Sequence, residues 1–270
     1  MAITATDVKK LRDMTGAGMM DAKKALTDSD GDFEKAVELL RITGASKAAK
    51  RSDREASNGI VAASGHALVQ LGAETDFVAK NEEFVTAAQQ IVEAVDQAGA
   101  DSVEAALTLN LATGETVADR IAALVAKIGE KIELVKVARF AGQTQTYLHH
   151  RSQDLPPQVG VLVEYRGDDA DLIRMVTMQI ASMSPQFVSR DEVPQETVAN
   201  ERRIAEAAAR EEGKPEQAIA RIVEGRVGAF FKDVCLVDQP AISDDKQSVG
   251  TLLKKAGITV TRFVRFAAGA

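Results

Sequence analysis

The most constraining feature of the sequence is a pattern of helix, glycine and strand that occurs twice. The segments 126–140 (AKIGEKIELVKVARF) and 254–266 (KKAGITVTRFVRF) each place a glycine between a helical stretch and an alternating strand. Glycine commonly ends helices, and alternation of apolar and polar residues is typical of half-buried strands. Two strand-like runs precede each segment and predict a hairpin. The chain is therefore predicted to contain two similar α+β halves, 59–140 and 141–270.

A helical region is predicted in front of these halves. Residues 1–44 contain three short helical patterns separated by turns at 15–18 and 29–32, with Thr4 or Thr6 as the first cap. Residues 45–58 are polar, alternate in charge and are predicted to form a linker. The inward-facing positions of the three helices are predicted to be Val8, Leu11, Met14, Phe33, Ala36, Val37 and Leu40.

The second half carries an insertion. Two amphipathic stretches within about 195–232 are joined by Gly-Lys-Pro, which predicts an antiparallel helical hairpin. The predicted fold class is therefore α+β: a three-helix domain, then a core of two similar α+β subdomains with an inserted helical hairpin.

Composition and charge argue against several classes of protein. The net charge is −7, whereas a nucleic-acid-binding protein usually carries a broad basic face. No apolar run approaches the roughly 20 residues that span a bilayer, and the amino end lacks a signal-peptide core. The single cysteine, Cys235, suits a reducing compartment and is expected to be a buried small residue. We therefore expect a cytoplasmic protein with no membrane partner and no specific nucleic-acid partner.

Motifs that suggest catalysis or metal binding fail their chemical requirements. Residues 28–39 begin like a calcium loop, but Phe33 and Leu39 occupy the positions that need Gly and a bidentate Glu. His149 and His150 are neighbours on a predicted strand and point to opposite faces, so they cannot share an ion. No catalytic triad, metal set or carboxylate pair emerges. The sequence therefore predicts a protein that is not an enzyme and uses no cofactor or metal.

The stretch ETDFVAK (74–80) places an acid and a large aromatic where a strand gives way to a helix. In one interpretation Asp76 caps the helix and Phe77 packs into the core as a hydrophobic staple. In the other, Phe77 is exposed at a chain corner and enters a crevice of a partner protein. The residues alone leave both interpretations open.

Four stretches of the sequence carry a resemblance: DVKKLRDMTGAGMMDAKKAL (7–26), ETDFVAKN (74–81), VAKIGEKIELVKV (125–137) and GKPEQAIARIVEGR (213–226). They resemble the bacterial translation elongation factor Ts family, and the similarity extends over essentially the whole chain. The resemblance implies a ubiquitin-associated-like three-helix domain, a two-subdomain α+β core and a helical hairpin. It also implies guanine nucleotide exchange on the GTPase elongation factor Tu, without direct nucleotide binding by this chain.

The resemblance further assigns partner-binding residues. Asp76 and Phe77, with Val78 and Ala79 behind them, are implied to enter the GTPase near its magnesium site, where Phe77 displaces the groups that organise the ion. One of the two docking methionines packing inward, and His149 as an ordinary strand residue, stay open as alternatives. The implied docking and core contacts are Arg12, Met19, Met20, Ile128, Gly129 and His149.

Several alternatives stay open at this stage. A second family contact is in doubt at Ile242 and Ser243, and the doubled pattern leaves a homodimer open. The chain could instead be an adaptor that binds ubiquitin-like or other helical partners through its front domain. A third hypothesis is an RNA-binding accessory protein that uses residues 44–54 and the helical hairpin. The basic residues of that segment are Lys47, Lys50, Arg51 and Arg54, and Asp53 and Glu55 dilute them.

Overall fold

The computed structural model describes residues 3–49 and 53–269, and the side chains of residues 45–49 lie outside that description. Three helices at the amino end precede a core of mixed helix and sheet, which confirms the predicted fold class. The chain forms two compact units. The first comprises the described residues up to Ala141, Leu148–Gly160 and those from Phe266 onward; the second comprises Gly142–Tyr147 and Val161–Arg265.

Helices and strands follow one another in an order that begins with helix and ends with strand. The elements up to the end of the first sheet are α1 (Ala5–Thr15), α2 (Met19–Asp28), α3 (Phe33–Ala49), β1 (Asn58–Ser64), β2 (Ala67–Ala73), α4 (Asp76–Ala79), α5 (Glu82–Ala98), α6 (Val103–Leu107), α7 (Val117–Ile128) and β3 (Ile132–Arg139). The remaining elements are β4 (Thr144–His149), β5 (Val159–Arg166), α8 (Ala170–Met183), α9 (Gln195–Glu211), α10 (Glu216–Val234), β6 (Pro240–Ala241), β7 (Asp244–Ser248), α11 (Val249–Ala256) and β8 (Thr259–Ala267).

The three amino-terminal helices pack around a small core of their own. Thr4 caps α1 through a reciprocal pair of hydrogen bonds with Asp7, as a capping box does. The predicted inward position of Met14 is wrong, because its side chain is exposed. At helical spacing, Thr15 lies closer than Met14 to the stripe defined by Val8 and Leu11. The buried residues of this core are Val8, Leu11, Ala22, Ala25, Leu26 and Ala36.

Helix α3 continues through Ala49, into the segment predicted as a linker. The glycine at which we predicted the end of the domain, Gly44, is buried and helical. A Cβ at Gly44 would lie 3.1 Å from the Cβ of Ala126, so this glycine permits close packing against α7. A tertiary contact therefore accounts for the glycine at which we placed the end of the domain. Lys50 and Arg51 lie outside the described residues, as does the side chain of Lys47.

The first sheet has the strand order β1-β2-β3, and all its pairings are antiparallel. The central strand β2 is buried along its whole length, and the predicted hairpin turn lies at Gly65. Gly59 has φ +130°, and a Cβ there would lie 2.1 Å from the Leu71 carbonyl oxygen, so this pairing requires glycine. Helix α5 packs against β1 and β2. The buried residues of α5 recur at helical spacing: Phe84, Ala87, Ala88, Ile91, Val92 and Val95.

The second sheet repeats this order, since a hairpin of β4 and β5 is followed by the closing strand β8. Helix α11 ends at Gly257, which adopts φ +67°, as the sequence predicts. The corner between β5 and α8 differs from the corresponding corner between β2 and α4. At the corner between β5 and α8, Asp169 caps α8 by accepting the Leu172 N–H at 2.9 Å, and Leu172 is buried.

The inserted helices α9 and α10 form the predicted antiparallel hairpin, with a turn at Gly213. Their contact is made by small and β-branched side chains, and Arg226 clamps it by donating to both carboxylate oxygens of Glu212 at 2.7 and 2.8 Å. The buried residues of the hairpin are Ala205, Ala209, Ile219, Val223 and Val227. In the part of the chain that the structure describes, no helix has the length and apolar character needed to cross a bilayer.

Glu164 on β5 makes the second unit sensitive to acid. Its carboxylate accepts Arg262 Nε at 3.0 Å, the Gly142 N–H at 2.8 Å and the Thr261 hydroxyl at 3.1 Å. These bonds, those from Arg262 above all, lower the pKa of Glu164 from 4.5 to about 2. Because the folded protein holds this carboxylate ionised, its contribution to stability is present above pH 4.5 and is lost as the pH falls towards 2.

We expect Glu164→Gln to flatten the loss of stability between pH 5 and pH 2.5, which urea unfolding at a series of pH values measures. The matched control is Glu211→Gln, at the exposed end of α9, which should keep the parent's acid dependence. An unchanged slope in Glu164→Gln would contradict this assignment.

Candidate partner-binding site

Phe77 lies on a single helical turn between the first sheet and α5. Helix α4 is four residues long and follows the end of β2 directly. The side chain of Phe77 is 80% exposed, whereas Val78 and Ala79 belong to the buried core of the first unit. The staple interpretation of Phe77 is therefore wrong. Val78 and Ala79, the two residues after Phe77, anchor this turn in the apolar core.

One further expectation for this corner needs correction. Asp76 is not the helix cap, because Thr75 occupies the cap position and accepts no side-chain capping bond. The hydroxyl of Thr75 instead donates to Glu130 Oε1 at 2.8 Å. Val78 and Ala79 are buried by packing against the first sheet and α5, so they lie behind the exposed pair, and their part in partner binding stays a prediction. Asp76 and Phe77 remain as the exposed pair.

Helix α5 begins immediately after this corner, and its first turn is bonded to α7. Asn81 caps α5 by accepting the N–H groups of Glu83 at 2.9 Å and Phe84 at 3.2 Å. Glu83 in turn accepts hydrogen bonds from Lys127 and from Arg120 on α7. The bond from Lys127 is the main cause of the lowered pKa of Glu83. The start of α5 is thus tied electrostatically to α7.

The turn after α7 lies against the entry to α4. Gly129 ends α7 with φ +84°, and Ile128 is half-buried on the core. Beyond Gly129, Glu130 Oε2 accepts the Thr75 N–H at 3.0 Å, and Glu74 Oε1 accepts the Lys131 N–H at 2.6 Å. The structure therefore brings together two segments that the sequence separates widely, ETDFVAK and the turn at Ile128 and Gly129.

The amino-terminal helices expose their two adjacent methionines. Met19 is 47% exposed and Met20 is 75% exposed, so the alternative in which one of them packs inward is wrong. Arg12 is exposed and lies 3.1 Å from the Asp13 carboxylate. A Cβ at Gly16 would lie 2.8 Å from Lys127 Cδ, so the turn between α1 and α2 packs on α7. Sequence reasoning missed that Met14 and Ile42 are also exposed large apolar residues of these helices.

Other predicted positions are exposed elsewhere on the chain. His149 is the last residue of β4 and is exposed in the first unit. In the second unit, Ile242 and Ser243 form the exposed turn between β6 and β7. The Ile242 N–H donates to Gln179 Oε1 at 2.9 Å, which fixes this turn.

Arg54, just before β1, contacts the protein itself. It donates to Glu74 Oε2 at 2.8 Å, and its carbonyl accepts Lys131 Nζ at 2.8 Å. Both contacts hold Arg54 near the entrance to α4. Arg54 therefore has a structural role, which weakens its assignment as an RNA-binding residue.

The residues considered for chemistry are used in packing and capping. Asp32 in the calcium-like stretch accepts the N–H groups of Glu34 at 3.0 Å and Lys35 at 3.1 Å, as a helix cap does. Cys235 is buried as predicted, and burial raises its pKa to about 11, which suppresses thiolate chemistry. Within residues 3–49 and 53–269, no cluster of three His, Cys, Asp or Glu side chains could hold a metal ion.

A cleft of about 470 Å³ lies between the amino-terminal helices and α7. Met14, Leu40, Ala122 and Ala126 are among the residues that line it. Neither Phe77 nor any of the predicted docking residues lines this cleft. The candidate site is therefore a set of protruding side chains rather than a cavity.

Three helices followed by a core with two sheets of the same strand order are the architecture that the resemblance to the elongation factor Ts family implies. The family model described as Elongation factor TS matches residues 74–270. The chain belongs to the elongation factor Ts family, which confirms the family suggested by its sequence motifs.

Individual relatives match along the whole chain. The protein named Elongation factor Ts of Cutibacterium acnes is 65% identical over 269 residues and is covered completely, as is this chain. Proteins of the same name from Mycolicibacterium gilvum and Saccharopolyspora erythraea are 57% and 55% identical over 266 residues, with 98% of each chain covered.

Proposed function

We propose that this chain is a guanine nucleotide exchange factor that binds elongation factor Tu in its GDP form and promotes GDP release. The observation that carries the proposal is the position of Phe77. In a member of this family, a large aromatic is 80% exposed on a corner whose neighbours are fixed by the core. Aromatic side chains, Phe among them, are enriched in the buried centres of protein–protein interfaces.

The proposed mechanism is displacement without covalent chemistry. In a GTPase, Mg²⁺ and the phosphate-binding loop hold the phosphates of the nucleotide. The Phe77 ring enters the GTPase beside this site and moves the side chains that organise the ion, while Asp76 redirects the local polar contacts. Val78 and Ala79 stay in the core and hold the turn in place while the ring contacts the partner. The chain itself needs neither a cofactor nor a nucleotide site for this step.

Linkage sets a requirement on the rest of the interface. If the factor lowers the nucleotide affinity of the GTPase by some ratio, nucleotide lowers the affinity of the GTPase for the factor by the same ratio. The complex must therefore be held by contacts outside the nucleotide site. We assign this docking to Arg12, Met19 and Met20, to the turn at Ile128 and Gly129, and to His149. Flexible methionine side chains suit an irregular partner surface.

Release of fluorescently labelled GDP from elongation factor Tu, followed by stopped flow with and without the full chain, tests the proposal. We expect the chain to accelerate release by orders of magnitude, because removing a charged ion from the phosphates weakens a large electrostatic attraction. A release rate that is independent of this chain would contradict the proposal.

The same preparation tests the two alternatives. The front helices expose four large apolar side chains, Met14, Met19, Met20 and Ile42, which favours the adaptor as the second candidate. An adaptor would bind a helical partner without changing GDP release. An RNA-binding protein would show binding that weakens steeply with salt. Self-association is measured separately by sedimentation of the free chain, because a homodimer is compatible with each function.

A further inference from the structure

We infer that Glu130 is a positioning residue for Phe77, and that it acts by clamping the chain at the entrance to α4. The inference rests on the proposed function, because it concerns how the exchange-promoting ring is oriented. Glu130 lies in the turn after α7 and is more than fifty residues away from Phe77 in the sequence. Its carboxylate reaches the residue that immediately precedes the exposed pair Asp76 and Phe77.

The clamp consists of crossed bonds between two short segments. Glu130 accepts the Thr75 N–H at 3.0 Å and the Thr75 hydroxyl at 2.8 Å. In the opposite direction, Glu74 accepts the Lys131 N–H at 2.6 Å. Each segment thus supplies a carboxylate that binds the backbone of the other. Hydrogen bonds to an ionised carboxylate are among the stronger and more directional bonds in proteins.

A third element tightens the same corner. The side-chain amide of Asn58 donates to the Glu74 carbonyl at 2.8 Å, and Arg54 donates to the Glu74 carboxylate at 2.8 Å. Residue 74 is therefore held through both its backbone and its side chain. Glu130 provides the corresponding hold on residue 75, the last position before the exposed pair.

The site needs such a clamp because little else determines where the ring points. Helix α4 has four residues and lacks a side-chain cap, and helices this short are not stable by themselves. The Phe77 ring, being 80% exposed, receives little orientation from packing. Burial of Val78 and Ala79 fixes the carboxyl end of the turn, and Glu130 fixes its amino end. A ring held at both ends loses less conformational freedom when it binds.

Three variants in the full chain test this role by GDP release from elongation factor Tu. We expect Glu130→Ala to slow the stimulated release about tenfold, as loss of hydrogen bonds to a charged group would. Glu130→Gln should restore most of the rate, since an amide can accept the Thr75 N–H and donate to the Thr75 hydroxyl. Glu133→Ala is the matched control. It removes a nearby carboxylate that pairs with the Lys131 ammonium at 3.1 Å and not with the backbone groups of the clamp, so this variant should match the parent.

A double-mutant cycle identifies the residue through which Glu130 acts. In the Phe77→Ala background, we expect Glu130→Ala to cause no further loss, because the ring that it positions is gone. Hydrogen exchange of the free protein gives a readout independent of activity: the Thr75 amide should exchange faster in Glu130→Ala. If that variant fails to fold, Thr75→Val removes the hydroxyl donor with little change in shape and should slow release in the same way.

Each of three results would overturn the inference. Parent-like release by Glu130→Ala would show that the clamp is dispensable. Equal impairment of Glu130→Gln and Glu130→Ala would show that the charge of Glu130, rather than its bonds to Thr75, is required. A full additional loss in the Phe77→Ala background would place its action elsewhere. Failure of the proposed function is distinct from these results, because GDP release would then be independent of the parent chain itself.

Discussion

Phe77→Ala is expected to slow the stimulated release of GDP from elongation factor Tu by at least about 30-fold. Truncating a dominant interface side chain typically costs about 2 kcal/mol or more, and each 1.4 kcal/mol is about a factor of ten. The stability of the free chain should hardly change, because an 80% exposed ring contributes little apolar burial. Stopped-flow release and thermal unfolding of the same samples measure the two effects.

The size and shape of the ring can be separated from its mere apolarity. Phe77→Leu retains an apolar side chain but not a flat, rigid one, so we expect an intermediate rate. Ile204→Ala is a matched control, because Ile204 is a large exposed apolar residue on α9, remote in sequence from the predicted contacts. It should match the parent in both assays. Parent-like release by Phe77→Ala would remove the basis of the displacement mechanism.

Phe84→Ala is expected to have the opposite profile, with a large loss of stability. Phe84 is 0% exposed and lies in the core beneath the first sheet, among the largest fully buried side chains of the described chain. Replacing a buried Phe by Ala typically costs about 3–5 kcal/mol, because apolar contacts are lost and a cavity remains. Urea unfolding followed by circular dichroism measures this cost as a shift of the transition midpoint.

Phe84→Leu is the control for this prediction, since it preserves most of the buried volume and should lose much less stability than Phe84→Ala. At temperatures where Phe84→Ala remains folded, its stimulated release should stay closer to the parent than that of Phe77→Ala. A stable Phe84→Ala variant would contradict the packing described for α5. The two phenylalanines thus allow the contributions of surface and core to be separated within one short segment.

Much of the fold could be predicted from the sequence because its signals are local. The glycine stops at Gly129 and Gly257 act on neighbouring residues, and the structure has them where the sequence indicates. The length of α3 could not be predicted in this way. Gly44 is the last residue of the predicted first domain, but close packing against Ala126 explains why α3 carries a glycine there and continues past it.

The candidate site shows the same limit more sharply. The residues around Phe77 were compatible with a buried staple or an exposed ring, and the choice depends on contacts with residues distant in the sequence. Val78 and Ala79 are drawn into the core, and the hydroxyl of Thr75 turns to Glu130 instead of capping the helix. No local pattern in ETDFVAK contains this information. The exposure of Met19 and Met20 could not be predicted for a related reason. Two adjacent residues of a helix can both face solvent, but whether they do depends on which face of the helix the core covers.

The two sheets share one strand order, but their strand-to-helix corners are equipped differently. The corner after β2 exposes Phe77, whereas the corner after β5 is closed by Asp169 and the buried Leu172. The two sheets therefore share an architecture, but the exposed aromatic at the corner after β2 has no counterpart at the corner after β5. On the proposed mechanism, a single chain is monovalent, and it can open only one GTPase at a time however symmetrical its scaffold is.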